Sequence, residues 1–454
     1  MAFGFLKGLR GGAARTPRVA VIGLDGTPHS FLQRLVGEGA MPNLARMLQE
    51  GGTLERMDSV YPTVSSVAWA SFMTGANPGR HNIFGFVERK PRTYDLYFPN
   101  AASLKAPTLW QHLNEHRRRM VVINVPVTYP TREVQGVMVG CFLCTDIEKI
   151  STDAAVVRWL KEHGYRIDAE TRLAQRDKGE FLSDLRTTLD RREEALFHFL
   201  REPWDYFQCH IMETDRLQHF LWEEMEQGDA RFAPEFMQIY RRVDDILGRV
   251  RRELPPEVPL LVLSDHGFCG IRHEVYLNRH LTDEGFLKMR PGSSELLSDI
   301  DAAATTAYSL IPGRVYVNLK GREPAGTVEP GAPYQEMRER LRTSLLALRD
   351  PEGRQVIEQV LRREEIYSGV AADAAPDLVA VPADGFDLKG RFRAPSLFQR
   401  SHLNGMHTFH DSMLFCDRPL GSAPGSIVDV LPTLLDLMEL PRPEGIDGRS
   451  LLTR

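Results

Sequence analysis

The chain alternates short, wholly apolar runs with longer stretches of helical periodicity. Residues 18 to 24, Arg-Val-Ala-Val-Ile-Gly-Leu, form one such run and end at Asp25-Gly26. Consecutive apolar positions leave no face for water, so the run predicts a strand buried on both sides of a parallel sheet. Residues 205 to 212 run in the same way into Glu213-Thr214-Asp215, and residues 259 to 263 into Ser264-Asp265-His266-Gly267. Residues 121 to 125 predict a fourth strand, while residues 108 to 116, 236 to 254 and 334 to 348 carry helical periodicity between strands. This alternation implies an α/β fold, a mostly parallel sheet flanked by helices. Ligands in such sheets bind outside the carboxyl ends of the strands, and Asp25, Asp215 and Asp265 all fall there. Residues 427 to 440, followed by Pro441-Arg442-Pro443, predict a last helix stopped by prolines. The stretches 130–200 and 286–400 are more polar and less periodic, and are expected as insertions or a cap over the site.

Composition narrows the function classes. The chain has 454 residues, 42% hydrophobic and 26% charged, as in an ordinary folded protein. Lys plus Arg number 56 against 61 Asp plus Glu, a net charge of −5, so no positive field is present to hold a nucleic-acid polymer or an anionic membrane. The five cysteines include Cys141-Phe-Leu-Cys144, but no second pair stands at zinc spacing, and they are read as reduced thiols. No run reaches the roughly 18 apolar residues of a membrane span. Residues 1–16 are expected to be flexible. Lys7 and Arg10 interrupt their apolar stretch, which does not suit a secretory signal, so a cytoplasmic location is expected.

The acid-ended strands carry the candidate chemistry. Asp215 and His219 stand four apart, so a helix beginning near Asp215 turns both to one face, where a metal ion could bridge them. Asp265 and His266 are adjacent, and Gly267 is expected to permit a turn that aims both at one centre. Carboxylate oxygen with imidazole nitrogen suits zinc or manganese, and two such ions about 3.5 to 4 Å apart clamp an in-line displacement at phosphorus. No cysteine joins these clusters, which favours open catalytic sites over closed structural ones. Residues 61 to 75 place a proline loop and two hydroxyls before a helix expected to end at Gly75. Ser65 or Ser66 either caps that helix or, beside a metal, serves as a nucleophile whose target anion is held by free backbone N–H groups.

Ile22-Gly-Leu-Asp25-Gly, Pro62-Thr-Val-Ser65, Thr74-Gly-Ala-Asn-Pro-Gly-Arg-His81, Asp215-Arg-Leu-Gln-His219, Ser264-Asp265-His266-Gly267 and Gly405-Met-His407 follow one another in this order. With these motifs the chain resembles the type I phosphodiesterase and nucleotide pyrophosphatase family of the alkaline phosphatase superfamily, most closely its cytoplasmic bacterial phosphohydrolase or phosphomutase branch. The resemblance implies a single alkaline phosphatase-like domain over residues 17–450 and two divalent ions, zinc or else manganese. One ion would be held by Asp25, Asp265 and His266 against the nucleophile Ser65, and the other by Asp215, His219 and His407. It further implies a phosphodiesterase acting on a small phosphorylated substrate through a covalent phospho- or nucleotidyl-serine. A phosphomutase or phosphomonoesterase of the same superfamily is the nearest alternative, and a metal-binding or ligand-binding protein without catalysis is the alternative from another class. A sulfatase is disfavoured, because related sulfatases need Cys or Ser followed by x-Pro-x-Arg, whereas Ser65 is followed by Ser-Val-Ala-Trp.

One departure stands out. Where the family's nucleotide pyrophosphatases hold a phosphate oxygen with an asparagine, this chain has Phe86. Ser66, Arg89, Arg272 and Arg322 are the candidates to supply the missing donor. Among the remaining histidines His81, His273 and His410 are expected to be surface or core groups, with His81 retained in the family motif. Trp69 and Trp222 are expected to pack the core.

Overall fold

The computed structural model describes residues 16–292 and 296–452. The flexible N-terminus expected over residues 1–16 lies, apart from Thr16, outside the described residues.

Seven strands make the central sheet: β1 (Val19–Leu24), β2 (Thr53–Met57), β3 (Met120–Ile123), β4 (Gly136–Val139), β5 (Tyr206–Ile211), β6 (Leu260–Leu263) and β7 (Ser412–Cys416), in the order β2-β7-β6-β1-β5-β3-β4. β1 runs parallel to β5 and β6, and β5 and β4 run parallel to β3. β7 alone is antiparallel to both its neighbours, β2 and β6. The apolar run of β1 is explained by its two covered faces. Ala20, Ile22 and Leu24 point into one hydrophobic core, Val19 and Val21 into the other, as the two-residue period of a strand demands.

Helices fill both faces. α1 (Ser65–Thr74) lies in the second core with all ten residues buried, so it shows no amphipathic stripe. It stops at Gly75 as expected, with φ +60°, where a Cβ would meet Leu431 Cδ2 at 2.8 Å. α2 (Lys178–Phe199), α3 (Glu213–Gln227) and α4 (Phe232–Glu253) pack the first core, and α5 (Val430–Leu437) packs beside α1.

The two polar stretches behave differently. Residues 130–200 supply edge strand β4 and helix α2, with Val139, Ile150, Leu160, Phe181 and Leu189 buried in the first core. Residues 286–400 build most of a separate hydrophobic core. Its four-stranded antiparallel sheet runs Ala307–Leu310, Arg314–Val317, Leu378–Pro382, Ile357–Arg362. The helix expected at residues 334–348 is Ala332–Leu346 and packs this second sheet, not the parallel one. Among the described residues no helix is long and apolar enough to cross a membrane.

Candidate active site

Three strand ends and one antiparallel strand pair converge on a single point. Asp25 follows β1, Asp265 and His266 follow β6, and α3 starts directly after β5, carrying Asp215 and His219. The strand Gly405–Thr408 pairs antiparallel with Gly267–Gly270, opposing His407 to Phe268. That register stacks the His407 ring on His266, centroids 3.6 Å apart. The chain bends at Asp265 and His266 and brings both side chains together, while Gly267 itself begins the paired strand without a positive φ. A Cβ there would lie 2.4 Å from Thr408 Oγ1, so close backbone approach rather than turning makes glycine fit.

Asp25, Asp265, His266 and Ser65 form one cluster. Ser65 is the first residue of α1, and the N-cap position, Val64, makes no side-chain cap. Its hydroxyl is therefore not spent on the helix but lies 3.3 Å from Asp25 Oδ1 and 3.3 Å from His266 Nε2. Ser66 has a buried hydroxyl without a partner and makes none of these contacts. Gly26 N–H donates to Asp265 Oδ1 at 3.0 Å, and Asp265 Oδ2, 3.3 Å from His266 Nε2, makes no hydrogen bond. The side chains of Asp25, Asp265 and His266 are wholly buried. Burial, reinforced by the neighbouring Asp265 and Asp215 charges, pushes the Asp25 carboxyl well above the usual carboxylate range.

Asp215, His219 and His407 form the second cluster. His407 Nε2 lies 3.2 Å from Asp215 Oδ1 and 3.0 Å from His219 Nε2, and His219 Nε2 lies 3.3 Å from Asp215 Oδ1. Burial works to raise the Asp215 carboxyl, but His219, His407 and Arg216 outweigh it and hold it well below its ordinary value. Donor atoms of Asp215, His266 and His407 lie within 4.8 Å of one another, so the two clusters abut.

The donor set fits divalent cations. Three carboxylates meet in a buried volume, one oxygen among them is orphaned, and the charge on Asp25 is opposed by like neighbours. Such a group is costly without compensating positive charge, and oxygen with imidazole nitrogen suits zinc or manganese.

Two supporting residues escaped the sequence reading. His210 is a fully buried polar residue inside β5 and bonds Asp25 Oδ2 at 2.8 Å. Burial lowers it to about 4, so it stays neutral and donates Nε2–H, with Nδ1 left unpartnered beside Trp69 and Gly23. Its signal was a histidine close to the carboxyl end of a buried strand. Arg216 bonds Asp215 Oδ2 at 3.0 Å and is held in turn by Asp168 at 2.7 Å. His81 is structural: Nε2 bonds Ser71 Oγ at 2.9 Å and Nδ1 accepts from Ile83 N–H.

A cavity of about 680 Å³ opens beside His219 and His407, between the loop Tyr61, Pro62, Thr63 and Val64 and the second sheet. Phe86 lines it and meets Phe142 edge-on. None of the four candidate phosphate donors lines this cavity; Ser66, whose backbone N–H was the group expected to donate, stands instead at the start of α1 beside Ser65. Arg322 is consumed by Asp377 at 2.6 Å and by Val317 O, Arg89 is buried against Glu323 and Tyr316, and Arg272 is exposed outside the cavity.

The mostly parallel α/β sheet with both clusters at its carboxyl edge is an alkaline phosphatase-like fold, and the family model that the chain matches makes the protein a phosphohydrolase. The profile of the type I phosphodiesterase / nucleotide pyrophosphatase family matches residues 19–410, and the chain belongs to that family. Phosphonoacetate hydrolase from Sinorhizobium meliloti 1021 in complex with phosphonoformate is a structural neighbour, with TM-score 0.62, 18% identity, and 93% of this chain and 96% of that chain covered. Murine ectonucleotide pyrophosphatase / phosphodiesterase 5 in complex with AMP is another, with TM-score 0.57, 14% identity, and coverage of 94% and 96%. Among curated proteins none matches the chain.

Proposed function

We propose that the protein hydrolyses phosphoric diesters through a covalent phospho-serine or nucleotidyl-serine formed on Ser65, in the cytoplasm. The observation that carries this reading is the Ser65 hydroxyl, at the N-terminus of a buried helix that it does not cap, and 3.3 Å from both Asp25 and His266. Five free cysteines support the location.

Asp25, Asp265 and His266 would hold one ion beside Ser65, and Asp215, His219 and His407 the other, zinc or else manganese. When bound, such ions neutralise charge on the phosphoryl oxygens and the leaving group, and favour deprotonated hydroxyl and water. The chain does the positioning. Val67 and Ala68 N–H turn back to Val64 O, while the amides of Ser65 and Ser66 lie at the open start of α1, where the helix dipole favours an anion. Ser65 Oγ bonds to phosphorus as the bond to the leaving alcohol breaks, and the alcohol departs with a proton. Water then cleaves the Oγ–P bond, releasing the phosphate monoester and restoring the serine.

The test is hydrolysis of bis(4-nitrophenyl) phosphate and 4-nitrophenyl phosphate by zinc-loaded or manganese-loaded protein. Diester turnover that chelator and Ser65→Ala each abolish, with a phosphorylated Ser65 peptide in quenched wild type, supports the reading. A strong monoester preference would replace it with a phosphatase or mutase.

A further inference from the structure

The helix Leu109–Glu115 ends in a further set of metal-ligating side chains that shares no residue with either active-site cluster. His112, Glu115 and His116 stand at i, i+3 and i+4, so the last turn brings them to one face. One nitrogen or oxygen from each lies within 4.8 Å of the others. The two imidazole rings are 4.4 Å apart between centroids, and His112 Nδ1 is 4.0 Å from Glu115 Oε2.

Hydrogen bonds fix which nitrogens are free. His112 Nε2 lies 2.7 Å from Pro441 O, and His116 Nδ1 lies 2.9 Å from His112 O. A carbonyl oxygen only accepts, so each of these nitrogens carries the proton. The lone pairs are left on His112 Nδ1 and His116 Nε2. Metal-ligating histidines almost always donate their other N–H to a carbonyl or carboxylate in this way. Burial holds the His112 imidazole below its ordinary value, so it is neutral and able to ligate near pH 7.

Charge decides whether a cation is tolerated. Glu115 is 72% exposed and pairs with no arginine or lysine among the described residues. The last carbonyls of the helix add negative potential at this end. Arg117, Arg118 and Arg119 follow and oppose a cation. The backbone leaves the helix at Arg117, with φ +55°, and Arg118 is drawn to Met438 O at 3.3 Å, so the run departs from the face that holds the ligands. Tetrahedral zinc ligands at about 2.0 to 2.1 Å stand about 3.3 Å apart. The 4.0 Å between Nδ1 and Oε2 closes by rotation of the exposed Glu115 side chain, while both imidazoles stay where their carbonyl partners hold them.

We propose that His112, Glu115 and His116 bind a divalent ion of the zinc class, with water in the fourth position, independently of the ions at the active site. The site stands at an exposed helix end and is exchangeable, so its ion is lost on desalting. Through His112 it also grips Pro441, which follows α5, the helix packed beside α1. The ion thereby ties the approach to β3 to the C-terminal segment.

The test is equilibrium dialysis of the full chain against buffered free zinc, with zinc per chain counted by inductively coupled plasma mass spectrometry. At about 10 µM free zinc, wild type should hold one ion more than His116→Ala. Glu115→Gln, isosteric and at an exposed position, should raise the dissociation constant of that additional ion by at least about 10-fold. His163→Ala removes a half-buried histidine elsewhere and should leave the count unchanged. Equal counts in wild type and His116→Ala would overturn the proposal. So would an additional ion indifferent to Glu115→Gln, or an equal loss in His163→Ala, either of which would mean an adventitious ion only. The count is read as a difference between chains, so it stands whether or not the active-site clusters are loaded and whether or not diesters are cleaved.

Discussion

The two clusters use the same chemistry in opposite surroundings. Asp25, Asp265 and His266 come from strand ends, have no exposed side-chain surface, and hold more negative charge than their neighbours offset. Asp215, His219 and His407 come from a helix and a strand of a separate antiparallel pair, and both histidines keep some exposure at the cavity. Here the charge is balanced from within, since Arg216 and two imidazoles already contact Asp215. The first cluster therefore lacks compensating positive charge, and the second supplies its own. Position within the fold, not ligand type, sets this difference.

The largest effect expected from breaking the comparison is at its boundary. Ser65→Ala should lower kcat/KM for bis(4-nitrophenyl) phosphate by at least about 1,000-fold, the scale seen when a nucleophile is removed. Bound metal, counted by inductively coupled plasma mass spectrometry, should stay near two ions per chain. Loss of metal together with activity would show that Ser65 acts as a ligand first.

His210 sharpens the first cluster specifically. It donates to Asp25 Oδ2 and leaves Oδ1 facing Ser65 and His266. Orienting partners of metal ligands typically matter by about 10- to 100-fold, and that range is expected for His210→Phe in affinity for the first ion, measured by chelator competition. His210→Asn, which keeps a donor, should recover part of it. Equal weakening of both ions would point to general misfolding instead.

The acid-ended strands single out Asp25, Asp215, His219, Asp265 and His266, because a buried run and the polar residues that close it are adjacent in sequence, whereas a helix start points to Ser65 and only the family motif points to His407. The supporting residues were not legible. Arg216 stands beside Asp215, yet its role depends on Asp168, 48 positions away. Arg322 looked available as a phosphate donor until Asp377, 55 positions away, claimed its guanidinium. An arginine in a sequence declares a charge but not the carboxylate that spends it. The cavity was invisible for the same reason, since Tyr61 and Phe409 meet across the chain and the second sheet closes over them. Residues 130–200 looked like an insertion because a single edge strand and a long helix with much of its surface polar carry a weak apolar pattern.

The metal-free protein tests the charge difference directly. A carboxyl raised above its ordinary value of 3.8 binds its proton more tightly when folded. Asp25 therefore contributes stability at low pH that is lost as pH rises through its elevated folded value. Asp215, held below its ordinary value of 3.8, contributes the reverse, present above that value and lost as pH falls toward its folded one. Thermal melts in chelator should show Asp25→Asn flattening the decline in stability above pH 4, by at most about 1.4 kcal/mol per pH unit for one proton. Asp215→Asn should lower stability near neutral pH instead. Identical pH profiles for the two variants would erase the distinction between the clusters.

The smallest effect concerns the second cluster's internal balance. Asp168 grips the Arg216 guanidinium through Nε and Nη2, while Nη1 reaches Asp215. Their side chains are 19% and 27% exposed, so solvent screens the pair and its worth is about 1 kcal/mol or less. Asp168→Asn frees Arg216 to lean further on Asp215, which competes with a cation for the same carboxylate. The expected result is a rise of about 2- to 5-fold in the dissociation constant of the second ion, with the first unchanged and kcat at saturating metal preserved. A shift confined to the first ion would mean that Arg216 acts on Asp25, whose carboxyl it also influences, and would move the division between the clusters to the far side of α3.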